Sequence, residues 1–335
     1  MLLLLVLFVG SAAAIYLACE YFVNGVEWLG QKLDLGATAT GTVLAAFGTA
    51  LPESAVTFVA VMFGKTSEAR DIGVGAAMGG PLVLATIAYA VVGAALWLNR
   101  GRLGRKNPVI RVDHRRLARD QSWFLAIFLV KGGLGLVAFA LKPWLGVLFL
   151  AAYVAYVWRE MRSDDSVPEH ETLEPLKFRP QRPNPELRWV LLQTVLALLV
   201  IAFASRLFVS QLEAIGALFA LPAHLVALML SPVATEMPEI VNALIWVRQG
   251  KERLALANIS GSMMIQATIP SSLALFATSW RFDASLIVSA VLTASAIVYL
   301  WWLFRRGQVD ARLLLPVGLL YVFFASFVAW HFGGR

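Results

Sequence analysis

Apolar residues occur along this chain in long blocks, and polar residues gather between the blocks. Ten such blocks lie near 2–20, 37–63, 72–98, 122–140, 144–158, 189–209, 215–247, 254–277, 284–303 and 311–331. Most have the roughly 17–25 residues that cross a bilayer as a helix. The second and seventh blocks are longer and carry Pro52, Pro232 and Pro238, so they are predicted to bend at those prolines. With 59% hydrophobic and 15% charged residues and a mean hydropathy of +0.73, the composition is far from the roughly 25% charged residues of a soluble domain. The pattern predicts an all-α polytopic membrane protein of about ten transmembrane helices.

The formal charge is +7, and most of the 28 lysines and arginines fall in loops that follow odd-numbered blocks. Under the positive-inside rule those loops, including 99–121 and 160–187, are cytoplasmic and both termini lie outside. The expected location is the cell membrane, as a multi-pass protein in contact with the lipid bilayer. The basic run from Arg100 to Arg119 has no interleaved aromatic residues, which argues against a nucleic-acid partner. Met1 to Ala14 has an apolar core followed by small residues, like a signal peptide. It lacks a positive n-region and its apolar register continues to Tyr16 and Tyr21, so it is read as a helix. A single Cys19 rules out an intramolecular disulfide, and His114, His170, His224 and His331 show no paired-histidine spacing. The oligomeric state is not legible.

The chemistry lies in a motif that occurs twice inside apolar blocks, Gly48-Thr49-Ala50-Leu51-Pro52-Glu53 and Ala234-Thr235-Glu236-Met237-Pro238-Glu239. Each places a carboxylate beside a proline at membrane depth. An ionisable group there is costly and by default marks an ion pathway; the proline removes a backbone donor and frees a carbonyl. Thr49/Thr235, Pro52/Pro238, Glu53/Glu239 and Gly64-Lys65/Gly250-Lys251 share a constant offset of 186 positions. Gly75–Thr86 then aligns with Ala257–Thr268, sharing Gly79/Gly261 and Ala85-Thr86/Ala267-Thr268. A period this long marks a duplicated multi-helix unit. Five helices per unit is odd, so the second enters the membrane from the opposite side, and inverted repeats of this kind build one central site in many secondary transporters. The expected organisation is a first repeat over 1–159, a cytoplasmic linker without its own fold over 160–187, and a second repeat over 188–335.

With those residues in view, the chain resembles the sodium/calcium exchanger branch of the cation/calcium antiporter superfamily, whose members carry a GTSLPE-like segment in the second and seventh helices. A GSN-type segment follows in the next helix, matched here by Gly79-Gly80 and Gly261-Ser262. The resemblance implies that Glu53 and Glu239 hold a divalent cation and that Thr49 and Thr235 add hydroxyl or carbonyl oxygens. Main-chain carbonyls near Ala46 and Pro232 would complete flanking sodium sites. Ser262 matches the family serine, and Gln266 stands where an acid or amide is usual. Two carboxylates with hydroxyls and carbonyls suit calcium, which takes roughly six to eight oxygens. The chain departs from the family pattern at Ala50, at Gly80-Pro81-Leu82-Val83-Leu84, which has no side-chain ligands, and at Glu236 in place of a serine.

Glu236 and Glu239 are three residues apart and share a face if that turn is helical. Two carboxylates so close in a poorly hydrated site do not both ionise without a cation, which makes a proton a candidate driving ion. Glu236 either joins the site, faces a water-filled vestibule or pairs with a basic residue. Lys131, at the centre of the fourth block and followed by Gly132-Gly133, either pairs with a carboxylate or snorkels to the interface, the latter slightly favoured; the glycines could serve close helix packing. The expected function is exchange of calcium for sodium by alternating access, with the first and sixth helices sliding across the core, as the resemblance implies. Proton-coupled exchange of calcium, manganese or magnesium is the alternative, and a passive channel or non-transporting module a third reading. No tightly bound cofactor is expected, the partners being the transported cations, and no paired nucleophile and base suggest an enzyme.

Overall fold

The computed structural model describes residues 2–32, 50–102, 109–110, 112–162, 173–248, 250, 252–307 and 309–332. Among them the structure is helical: α1 (Leu2–Lys32), α2 (Leu51–Phe63), α3 (Ser67–Val83), α4 (Tyr89–Leu98), α5 (His114–Leu136), α6 (Gly146–Arg162), α7 (Leu187–Phe219), α8 (Ala223–Thr235), α9 (Met237–Arg248), α10 (Glu252–Ala277), α11 (Ala284–Arg305) and α12 (Val317–Phe332). Six spans are long and apolar enough to cross a membrane, at 2–32, 67–98, 187–219, 255–277, 284–305 and 311–332, with shorter apolar helices at 51–63 and 223–232. Leu3, Val6 and Val9 on α1 and Val195, Leu198, Leu199 and Phe203 on α7 point outward, an apolar surface that suits lipid. The chain is a polytopic membrane protein.

Two packed regions organise the helices. The larger core joins α3 and α4 to α5 and to the second half of the chain. In the other, Ile15, Ala18 and Cys19 of α1 and Phe208 and Leu212 of α7 meet Val56 and Ala60 of α2, Ile72 and Ala76 of α3, and Val226 and Ala227 of α8. The long helices α1 and α7 lie along each other, close enough that a side chain at Gly25 would meet the Thr194 hydroxyl at 2.5 Å.

Prolines break the helices where the sequence placed them. Pro81 lies inside α3, and a widened π turn over Leu84–Ala88 carries the chain into α4, one of the ways a helix absorbs such a defect. The seventh apolar block is interrupted at Glu236, between α8 and α9. Pro52 and Pro238 each take the second position of a new helix, α2 and α9, where a missing N–H costs nothing.

The described part of the 160–187 linker departs from the expected bare tether. Leu176 is buried with Trp28 and Val190. The Trp28 indole and the Asn24 amide donate to the Glu174 carbonyl at 2.9 and 3.3 Å. The amides of Lys177 and Phe178 donate to Asn24 Oδ1 and Gln193 Oε1 at 3.0 and 2.8 Å. The strap is ordered because buried Asn24 and Gln193 on α1 and α7 need polar partners and its backbone supplies them.

At the opposite connection, Asp283 caps α11 by accepting from the Leu286 amide, and it accepts from Ser285 Oγ at 2.7 Å and meets His224 Nε2 of α8 at 2.9 Å. Burial alone pushes its carboxyl upward, but the hydrogen bonds from His224, Leu286 and Ser285 prevail and hold it well below the usual carboxylate range. A depressed folded-state value means that the stabilisation is present above the unfolded value and is lost only as pH falls through the folded one. Asp283→Ala is expected to lower stability by about 0.5–2 kcal/mol, the usual worth of an N-cap, measured by thermal unfolding in detergent at neutral pH; an unchanged midpoint would contradict this role.

Candidate cation site

Each copy of the motif sets its glutamate at the third residue of a helix, Glu53 in α2 and Glu239 in α9. The first turn of a helix has unpaired N–H groups and a partial positive charge, a place that favours a carboxylate. Both side chains are buried, at 1% exposure each, and Glu236 in the break between α8 and α9 is wholly buried. Glu236 therefore does not face an open vestibule, and its polar partners come from within the bundle. Its Oε2 accepts from Gln266 Nε2 of α10 at 2.6 Å, and its Oε1 lies 3.0 Å from the Thr235 hydroxyl.

The Thr235 hydroxyl also lies 2.9 Å from Glu53 Oε2 and 3.1 Å from the Ser231 carbonyl. The carboxyl groups of Glu53 and Glu236 thus meet at one hydroxyl, across the two halves of the chain. Glu239 stands further off but within electrostatic reach of Glu236. Neither of its oxygens has a side-chain partner among the described residues, and Glu53 Oε1, Thr57 Oγ1, Ser231 Oγ and Gln266 Oε1 are likewise buried and unpartnered there. Buried oxygens left unsatisfied in this number call for an explanation such as an ion or water. In this arrangement no group of three His, Cys, Asp or Glu side chains among the described residues converges as a metal centre does; Glu53 and Glu236 are drawn together and Glu239 is apart.

Small residues make the approach possible. A side chain at Gly80 of α3 would meet Gln266 Oε1 at 2.6 Å and Glu53 Oε2 at 2.7 Å, so the segment that lacks side-chain ligands serves the site by its thinness. Of the other positions singled out in the sequence, Thr49 and Ala46 lie outside the described residues. Ser262 is buried on α10, and the Pro232 carbonyl accepts from the Glu236 amide at 2.9 Å. Sequence reasoning passed over Thr57 and Ser231. Their signal was a spacing of four residues, from Glu53 and from Thr235, which puts each on the same helix face as a site residue.

Lys131 contradicts the snorkelling reading. It is fully buried and donates to the Ala77 carbonyl of α3 at 2.6 Å, because it stands on the inward face of α5, a helix that packs on α10 and α11 and leaves Leu129 and Val130 exposed on its other face. The following glycines do not mark a tight crossing: a side chain at Gly133 would meet nothing within 4 Å, and one at Gly132 only Ala290 at 4.0 Å.

Comparison with known proteins places this geometry in context. The family described as sodium/calcium exchanger protein matches residues 3–161 and 189–332. A protein of Alkalimonas amylolytica described as antiporter CaxA is 24% identical over 320 residues, covering 92% of this chain and 95% of that one. Among solved structures, the H+/Ca2+ exchanger CAX is similar with a TM-score of 0.73 at 16% identity, over 96% of this chain and 81% of that chain. The sodium-calcium exchanger NCX_Mj has a TM-score of 0.59 at 17% identity, over 97% and 98%. These two likenesses show the shared fold. With both halves matched on either side of the linker, the chain belongs to the sodium/calcium exchanger protein family, a family of membrane antiporters.

Proposed function

We propose that this protein is a secondary active antiporter that carries calcium across the cell membrane against a monovalent counter-ion. The observation that carries the reading is the burial of Glu53, Glu236 and Glu239 together with unpartnered oxygens of Thr57, Ser231 and Gln266. Calcium takes about six to eight oxygens in flexible geometry, and a shift of the α9 start that brings Glu239 toward Glu53 would supply such a set. The same carboxylates neutralise either calcium or its competitor, so the two exclude each other and exchange is obligatory. An empty site leaves carboxylates uncompensated at low dielectric, which disfavours crossing unloaded.

The architecture proposed is ten spans in two inverted five-helix units, 1–159 and 188–335, with both termini outside and the 99–121 and 160–187 loops in the cytoplasm. Reciprocal pairings support it: α4 packs on α9 as α10 packs on α2, and α6 packs on α10 as α12 packs on α4. In this reading α1 and α7 slide across the core, and the strap over 173–186 keeps them together.

The proton is the counter-ion that the geometry favours. The Thr235 hydroxyl has one hydrogen and three oxygen neighbours, Glu53 Oε2, Glu236 Oε1 and the Ser231 carbonyl. Two ionised carboxylates and a carbonyl offer no other donor, so a proton held between Glu53 and Glu236 satisfies the contact in the absence of calcium. The sodium reading places its ligands in part at Ala46 and Thr49.

Calcium uptake into proteoliposomes under an outward proton gradient, an outward sodium gradient and neither separates the two. Uptake is expected to follow the proton gradient, and Glu236→Gln is expected to lose about tenfold of that drive, the worth of one charge-assisted contact. Uptake that follows sodium and ignores pH makes sodium the counter-ion, and absence of any gradient-driven uptake rejects calcium exchange.

A further inference from the structure

Lys131 is the one site-adjacent group that the exchange scheme leaves without a task. It belongs to α5, is fully buried, and its Nζ donates to the Ala77 carbonyl at 2.6 Å. That carbonyl is open because the residue four positions on, Pro81, has no N–H to close the helical hydrogen bond. The ammonium also lies 5.5 and 5.9 Å from the ring centres of Phe128 and Trp280, and the Trp280 indole N–H donates to the Lys131 carbonyl at 3.1 Å. The Glu53 carboxylate lies beside α3 at Gly80, one turn beyond Ala77, where an added side chain would meet its Oε2 at 2.7 Å.

A carbonyl freed by a broken helix, ringed by aromatic faces and within the field of a carboxylate, is a place for a monovalent cation. Here the protein's own ammonium fills it. We infer that Lys131 is a tethered cation occupying a monovalent-cation subsite at the Ala77 carbonyl, so that this chain exchanges calcium without taking a dissolved alkali ion there. The inference rests on the exchanger reading for its consequence in transport, but the subsite itself is testable without flux.

Two comparisons within the chain support a role for the charge. In the second repeat Pro81 aligns with Met263, which keeps its N–H, and α11, the counterpart of α5, has no basic residue before Arg305. At this aligned position the proline and the lysine occur together in the first repeat and are both absent from the second. A plug for that carbonyl needs only a neutral donor, whereas burying an ammonium costs several kcal/mol unless a nearby negative charge offsets it.

The test uses two variants of the full chain. Lys131→Gln keeps a donor for Ala77 and removes the charge. Pro81→Ala/Lys131→Met restores the amide at 81, so the helix closes its own hydrogen bond and folding no longer depends on the lysine. Equilibrium binding of radiolabelled sodium to purified protein is expected to rise by about one ion per chain in Lys131→Gln relative to the unsubstituted protein, and not in Pro81→Ala/Lys131→Met, whose Ala77 carbonyl is closed. In proteoliposomes, calcium uptake by Lys131→Gln is expected to fall about tenfold in choline medium and to recover in sodium or potassium, while neither ion rescues the double variant and the unsubstituted protein is indifferent. A Lys131→Gln protein that binds no additional sodium, or a double variant that binds as much sodium as Lys131→Gln, overturns the inference. An unsubstituted protein with no calcium flux rejects the exchanger reading, and the sodium-binding comparison then decides the subsite by itself.

Discussion

Glu53→Gln and Glu239→Gln are each expected to reduce gradient-driven calcium uptake by about 10–100-fold, because each removes a charge-assisted contact worth roughly 1.5–3 kcal/mol to the bound ion. The isosteric amide keeps shape and burial and removes the charge. Both carboxylates are at 1% exposure, and an uncompensated buried charge destabilises a fold, so the same substitutions are expected to leave the thermal midpoint unchanged or raise it. Loss of transport with retained or improved stability is the signature of a site held for function. Each half of the pair matters: Glu53 shares the Thr235 hydroxyl with Glu236, while Glu239 has no side-chain partner among the described residues and is free to move onto an ion. Radiolabelled uptake beside unfolding curves in detergent checks both halves of the expectation. Near-normal uptake by either variant would place the cation elsewhere.

The largest structural effect is expected at Gly75. A methyl group there would lie 2.0 Å from the His224 carbonyl oxygen and 2.8–2.9 Å from two more backbone atoms of His224. No side chain can move aside, so α3 and α8 must separate. Gly79, one turn on, faces the Leu228 carbonyl at 2.5 Å and Pro232 Cγ at 2.7 Å, making a small-residue seam of the kind by which membrane helices approach closely. Gly75→Ala is expected to cost about 1–3 kcal/mol or more from overpacking. The seam sets the distance between the Glu53 and Glu236 halves of the site, so cation affinity falls with it. Gly133→Ala is the control, since a side chain there meets nothing within 4 Å and helix propensity alone favours alanine by about 0.8–1.0 kcal/mol. Monodisperse yield and thermal midpoint in detergent report both variants; equal behaviour of the two would refute the seam.

Much of the site was legible before any coordinates. A glutamate next to a proline in an apolar block has few physical explanations, and its recurrence at an offset of 186 positions left Glu53 and Glu239 as the candidates. The departures were visible too, but not their meaning. Gly80-Pro81 read as a loss of ligands, whereas the contact distances show a close approach that any side chain would block. Lys131 read as a surface-seeking lysine because a one-dimensional pattern does not tell the lipid-facing side of a helix, here Leu129 and Val130, from the side turned into the bundle. The linker read as a tether because composition does not reveal that Asn24 and Gln193, far apart in sequence, meet on adjacent helices and accept from its backbone amides.

By itself the sequence determined the all-helical membrane class, the duplicated motif and the carboxylates, since hydrophobic length, charge at membrane depth and proline chemistry are local properties that follow directly from residue type. Only the tertiary structure decided that Glu236 shares a hydroxyl with Glu53 rather than with its near neighbour in sequence. It also decided that Thr235 bridges the halves, and that an ammonium from α5 closes the carbonyl opened by Pro81. Those pairings join residues 182, 183 and 54 positions apart, and they depend on how closely glycine-lined helices pack, a distance that no local rule supplies.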